Sequence, residues 1–222
     1  IATVTALARA LSCSPDMLKW LCANVDNQYY PPQPQPKPDG TFRETYQAKD
    51  QLDKVHQAIL HTILNKVKYA NYLQGSIKDR DMPRSYIKDA ALHVDSGIVV
   101  SIDISNFFPS TTVDIILNIW KYFFDFPDDV ASMLTRLTTL QGFLPQGART
   151  SSCLANLVFF DKEPALEERL RQQGLRYTRY VDDITVSANR YLKPNELEYV
   201  FRQVIGMFRS KDLSPNRQKI AT

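Results

Sequence analysis

The stretch YTRYVDDITVSA, residues 177 to 188, constrains the chain most. Two short runs rich in aromatic and β-branched residues, Tyr177–Val181 and Ile184–Ala188, flank a pair of adjacent acids, Asp182 and Asp183. Such runs read as strands, and a two-residue connection makes them an antiparallel hairpin with both carboxylates at its tip. Taken alone, Asp in a hairpin turn needs no further explanation.

A second run changes the balance. In GIVVSIDISNFF, residues 97 to 108, Ile98–Ile102 is an apolar run of strand length bounded by Gly97, which predicts a strand buried on both faces and closed by Asp103. A carboxylate at the end of a buried strand is costly to desolvate unless it is paired, hydrogen-bonded or bound to a metal. If this strand lies beside the hairpin, Asp103, Asp182 and Asp183 converge, and their repulsion calls for divalent cations. Hard oxygen donors that leave room for water and phosphate suit Mg²⁺. Two such ions about 4 Å apart would serve in-line phosphoryl transfer.

Around these strands the chain is mostly helical. Val4, Leu7, Ala8 and Leu11 share one face of a first short helix, and Ser14–Pro15 caps and opens a second with Leu18, Leu21, Cys22 and Val25 inward. YYPPQPQPKPDG, residues 29 to 40, forbids helix and is either a linker or, with TFRETY after it, a hairpin turning through Asp39 and Gly40. Leu52, Val55, Ile59, Ile63, Leu64 and Val67 predict a helix from Asp50 to about Leu73, stopped by Gly75. Further helices are expected over 113–124, 130–140 and 151–160, then from Pro164 and from Pro194. Helices packed on a small antiparallel sheet make the chain α+β.

Composition excludes several classes. The 222 residues are 44% hydrophobic and 23% charged, which is globular rather than disordered, and no apolar stretch approaches the roughly 18 residues of a membrane span. The chain is therefore expected to be soluble, without a membrane partner. Cys13, Cys22 and Cys153 lack CxxC spacing, against a disulfide framework or zinc site and in favour of a reducing, cytoplasmic setting. A net charge of +3 does not itself announce a nucleic acid. Between Lys66 and Lys88, however, Lys66, Lys68, Lys78, Arg80, Arg84 and Lys88 face only Asp79 and Asp81, which is either a solvated face or a partner surface. The chain begins with Ile rather than Met and is expected to be a piece of a longer protein.

SIDISNFFPST, GFLPQGARTSSCLANLVF and RYVDDITVSA, in that order, resemble the three palm motifs of reverse transcriptases, with PKPDGTFR similar to their fingers region and LSPNRQK to a later motif. YIKDAALHVDSG and the Ser/Thr-rich LPQG segment are similar to retron reverse transcriptases, a bacterial branch. The resemblance implies a right-hand polymerase fold: fingers over 1–97, palm over 98–222 with inserted helices at 113–140, and the thumb missing from this chain. It implies an RNA-directed DNA polymerase using two Mg²⁺ ions, deoxynucleoside triphosphates and a structured RNA as template and primer, with phage defence and an effector protein as further expectations. Asp103, Asp182 and Asp183 match the metal-binding acids, with the Ile104 carbonyl as a further ligand. Phe108 matches the aromatic residue that excludes a 2′-hydroxyl, although packing in the core competes as its role. Gln146 and Gly147 match the pair bordering the nucleotide pocket. Arg43, assisted by Lys37, matches the arginine that holds the triphosphate, Tyr180 joins the substrate-contacting set, and Lys219 matches a lysine that protonates departing pyrophosphate. The same motifs also fit a group II intron-like or other defence-associated enzyme, or a non-polymerising RNA-binding module. Three positions depart from the pattern: Val181 where Ala is commoner, Arg149 where Pro is frequent, which is expected to leave a less rigid turn, and Asp89 where retron enzymes have Asn.

Overall fold

The computed structural model describes residues 1–37, 40–78 and 82–219. In chain order its elements are α1 (Val4–Ala10), α2 (Pro15–Asn24), β1 (Gln33–Pro36), β2 (Phe42–Thr45), α3 (Asp50–Thr62), α4 (Tyr86–Ala91), β3 (Ile98–Asp103), the one-turn α5 (Phe107–Ser110), α6 (Val113–Asn118), α7 (Asp128–Thr138), α8 (Ser151–Leu157), α9 (Glu163–Gln172), β4 (Arg176–Tyr180), β5 (Asp183–Ala188) and α10 (Pro194–Arg209). They pack as two compact units, each drawn from two stretches: residues 1–67 with 108–158, and residues 68–107 with 159–222.

In the first unit, Ser14 caps α2 by accepting the Met17 N–H at 3.1 Å, and Pro15 occupies the first helical position, where its missing N–H costs nothing. The apolar face of α7, with Val130, Leu134 and Leu137, packs against α1, α2 and α3, which contribute the buried Leu7, Leu18, Leu21, Leu52 and Ile59. β1 and β2 form a largely exposed antiparallel ribbon in register from Gln33–Thr45 to Pro36–Phe42. The Pro-rich stretch is therefore a hairpin, although Asp39 of its turn lies outside the described residues.

The second unit holds an antiparallel sheet in the order β3-β5-β4. On one sheet face Val100, Ile102, Ile184, Val186, Tyr177 and Arg179 are buried, with α9 against β4 and α10 against α9. Phe159 and Phe208 stack there with ring centroids 6.0 Å apart. The opposite face carries Ser101, Asp103, Asp183, Thr185 and Tyr180.

Three expectations need correction, and one element, α4, has no counterpart among them. β3 is not buried on both faces throughout: on the face away from the core Val99 is 40% exposed and Ser101 half-buried, and only Asp103 at the strand end is buried there. The helix expected to reach Leu73 ends at Thr62, followed by a 3₁₀ turn at Leu64–Lys66. Farther along, Tyr72–Gln74 runs beside β4: the Arg179 N–H donates to the Tyr72 carbonyl at 2.8 Å and the Gln74 N–H to the Arg179 carbonyl at 2.9 Å. These sheet bonds outweigh the weak helix propensity of the Asn- and Tyr-containing KYANYL. α4, which no sequence pattern predicts, is capped by Ser85 and buries none of its residues, so it leaves no apolar periodicity to find. The hairpin is shifted by one residue: its two-residue connection is Val181–Asp182, and Asp183 belongs to β5.

Candidate active site

That one-residue shift sets the site. Because side chains alternate across a strand, it places Asp183 directly opposite Asp103 on the sheet face away from the apolar core. The Ile104 N–H donates to the Asp182 carbonyl at 3.1 Å, which makes Asp103–Asp183 a non-hydrogen-bonded pair. Side chains approach most closely in such pairs, with Cα atoms about 4.5 Å apart. Asp182 sits at the tip beside them.

The tip has an unusual backbone. Val181 has φ +61°, a left-handed conformation that a β-branched residue rarely adopts. Two contacts hold it there. Arg179 Nη1 donates to the Val181 carbonyl at 2.8 Å, and the Val181 side chain is buried against Gly75. A Cβ on Gly75 would lie 2.6 Å from Val181 Cγ2 and 2.7 Å from the Val181 amide nitrogen, so the residue facing the tip has to be glycine. Arg179 is itself fully buried, bonded to Glu163 at 2.6 and 2.8 Å and lying over the Phe159 ring; Glu163 also accepts the Tyr177 hydroxyl at 2.7 Å.

The acids repel one another. Burial raises the Asp182 pKa, and the Asp103 charge raises it further. Asp183 is pushed up to about 7, by burial first and then by Asp182 and Asp103, although the residue as a whole keeps a side open to solvent. Asp103, with a side chain only 6% exposed, has two partners on Oδ2: the Asn216 side-chain amide at 3.0 Å and Lys219 Nζ at 3.4 Å. Burial opposes the Lys219 charge, but Asp103, Asp183 and Asp182 outweigh it and hold its pKa above the ordinary value. An oxygen-only donor set whose members disfavour joint ionisation fits a hard divalent cation. Among the described residues no three acidic, His or Cys side chains enclose an ion by themselves. Mg²⁺ characteristically keeps waters and takes phosphate oxygens beside one or two carboxylates.

Of the residues singled out in the sequence, the structure brings together Asp103, Ile104, Tyr180, Asp182, Asp183 and Lys219 in the second unit. The others lie in the first unit. The Tyr46 N–H, just past β2, donates to the Gln146 carbonyl at 2.8 Å. Gly147, at φ +102°, passes so close that an added Cβ would lie 3.2 Å from the Tyr46 carbonyl oxygen. Arg43, on β2, is exposed, as is Lys37 just beyond β1, and neither side chain has an ion-pair partner among the described residues. Phe108 is half-buried on α5, and its carbonyl accepts the Thr111 N–H at 3.2 Å. Arg149, where Pro is frequent, bonds Asp53 Oδ1 through Nε at 2.6 Å. In the basic segment, Arg84 is turned inward onto the carbonyls of Tyr69, Ala70 and Leu73, while Arg80 lies outside the described residues.

Sequence reasoning missed the supports: Gly75, Glu163, Arg179, Asn216 and His93. The buried His93 ring bridges the two hairpin strands, with Nδ1 2.7 Å from Ser187 Oγ and Nε2 2.8 Å from Thr178 Oγ1. Only Asn216 carried a signal, the Ser-Pro-Asn turn just before Lys219.

Comparison with known proteins bears on the family and the fold. The family described as "Reverse transcriptase (RNA-dependent DNA polymerase)" matches residues 35–222. The Retron Se72 reverse transcriptase of Salmonella heidelberg (strain 579083-10) is 34% identical over 99% of this chain and 57% of its own length. The Retron Ec48 reverse transcriptase of Escherichia coli is 29% identical over 99% of this chain and 55% of its own. The chain thus spans a little over half the length of these curated relatives. Among solved structures, a Sicinivirus 3Dpol RNA-dependent RNA polymerase superposes with a TM-score of 0.52 at 12% identity, over 95% of this chain and 50% of that one, a likeness in the right-hand polymerase fold alone. With its ordered motifs, its facing acids and a family match over most of its length, the chain belongs to the reverse transcriptase family, and the relatives it matches are retron enzymes.

Proposed function

We propose that this chain carries the fingers and palm of a retron-type RNA-directed DNA polymerase. The observation that supports it most is the cross-strand pair Asp103–Asp183, with Asp182 at the adjoining tip and Lys219 3.4 Å from Asp103. Asp103 and Asp182, with Asp183 and the Ile104 carbonyl, would hold two Mg²⁺ ions. Bound there, the ions would supply charge compensation at the attacking 3′-hydroxyl and the departing pyrophosphate.

The chain's own groups do the rest. Arg43 presents a fork of donors suited to bidentate phosphate contacts, with Lys37 as an added charge. Gln146 and Gly147 border the nucleotide, Gly147 letting backbone approach it, and Tyr180 contacts substrate. The Phe108 ring excludes a 2′-hydroxyl, so deoxynucleotides are preferred. Lys219, kept protonated by the acids, gives a proton to pyrophosphate. With the retron likeness go a structured RNA as template and primer, an effector protein, and a role in defence against phage.

The test is primer extension by the full-length protein on primed RNA with Mg²⁺ and deoxynucleotides. Extension that Asp182→Asn abolishes is expected. No extension, or extension indifferent to Asp182→Asn, overturns the proposal.

A further inference from the structure

Asp103 is the most enclosed of the three acids, and the last described stretch of the chain meets it. Beyond β3, Ile104 bridges Pro215: the Ser105 N–H donates to the Ser214 carbonyl at 2.9 Å and the Asn216 N–H to the Asp103 carbonyl at 2.8 Å. This backbone pairing brings the Asn216 side chain to the carboxylate, where Nδ2 donates to Oδ2 at 3.0 Å. Asn216 also organises the turn after it. Its Oδ1 accepts the Gln218 N–H at 3.3 Å and its carbonyl accepts the Lys219 N–H at 3.0 Å, which sets the 3₁₀ turn Arg217–Lys219 from which Lys219 Nζ reaches the same Oδ2.

We infer that Asn216 is a positioning residue that fixes the rotamer of Asp103 for cation binding and places Lys219 on the same oxygen. The chemistry of an amide suits this role. A neutral N–H donor on Oδ2 does not neutralise the carboxylate, and with Asn216 and Lys219 both on Oδ2 it is Oδ1 that is left for a cation. A second lysine there would compete with the cation by charge. A hydrogen bond of this kind, from outside the ligand set onto a ligating carboxylate, typically governs metal affinity by about 10- to 100-fold.

This inference rests on the proposed metal site, and the experiment separates the two. The full-length protein is assembled with RNA, a dideoxy-terminated primer and the matching deoxynucleotide, and Mn²⁺ binding is read by electron paramagnetic resonance without turnover. Asn216→Ser keeps an acceptor for the Gln218 N–H and the local turn, but is too short to reach Asp103. It should weaken Mn²⁺ binding about tenfold or more while leaving the melting temperature of the metal-free protein unchanged. In primer extension, raised Mg²⁺ should recover much of its rate. Asp182→Asn serves as the control. If Asp182→Asn loses Mn²⁺ binding and Asn216→Ser binds as tightly as the native protein, the role of Asn216 is refuted and the metal site stands. If neither changes binding, both fall.

Discussion

Replacing Glu163 with Leu tests how the hairpin tip is supported. The Arg179 and Glu163 side chains are 0% and 2% exposed, and the carboxylate takes two guanidinium bonds and the Tyr177 hydroxyl. Removing one partner of a buried ion pair leaves an uncompensated charge and costs about 3–5 kcal/mol. The Tyr177 hydroxyl, left without its acceptor, pushes the loss toward the upper end of that range. For a chain of this size each kcal/mol lowers the melting temperature by about 2–4 °C, so Glu163→Leu should lower it by roughly 6–20 °C. The double variant Glu163→Leu with Arg179→Met removes both charges, and apolar replacements of buried pairs are often neutral in stability. It should regain most of the lost melting temperature. It should not regain primer extension, because the Val181 carbonyl has lost its donor and the left-handed residue before Asp182 is no longer held. Differential scanning calorimetry of the three proteins, with extension assays in parallel, decides the matter. A single variant that melts within about 3 °C of the native protein, or a double variant with full extension, would refute the reasoning.

Three further outcomes follow from the same geometry. Gly75→Ala should displace the tip, since its new Cβ meets the Val181 backbone nitrogen at 2.7 Å, and overpacking of this sort costs about 1–3 kcal/mol; urea unfolding and extension assays should both register it. Phe108→Ala should raise ribonucleotide incorporation before it destroys deoxynucleotide use, and equal losses on both would mean the ring only packs. His56 is buried, with Nε2 donating to the Leu137 carbonyl at 2.7 Å, and burial lowers its pKa below 6.5. A base with a depressed folded pKa contributes stability that is present above its unfolded value and lost as pH falls. Melting temperature should therefore drop as pH falls from 6.5, and His56→Gln, which can keep the carbonyl bond, should flatten that slope.

The sequence shows the chemistry of the site more clearly than its mounting. The apolar run ended by Asp103 and the doublet at 182–183 are local patterns with a desolvation cost attached, so they stand out in the sequence, while their convergence depends on the pairing of β3 with β5. The exact hairpin register does not, because it depends on Val181 adopting a conformation its side chain disfavours, enforced by Arg179 and by Gly75 far upstream. Helix caps such as Ser14 are legible because capping is local. The non-helical path at Tyr72–Gln74 is not, since what competes with helix there is strand pairing with Arg179. Asn216 meets Asp103 from 113 residues away, and no periodicity encodes such a contact.

β3 and its partner β5 lie about 80 residues apart in the chain, with β4 only just preceding β5. At a synthesis rate of roughly 5–20 residues per second, Ile98–Asp103 therefore emerges from the ribosome roughly 4–16 seconds before the strand that will cover its edge. Through that interval an apolar segment with open backbone groups has no native mate, the circumstance in which strands pair with the wrong neighbour. A carboxylate at the end of such a segment is costly to bring into a foreign sheet, one of the general ways in which strand edges are kept from pairing wrongly.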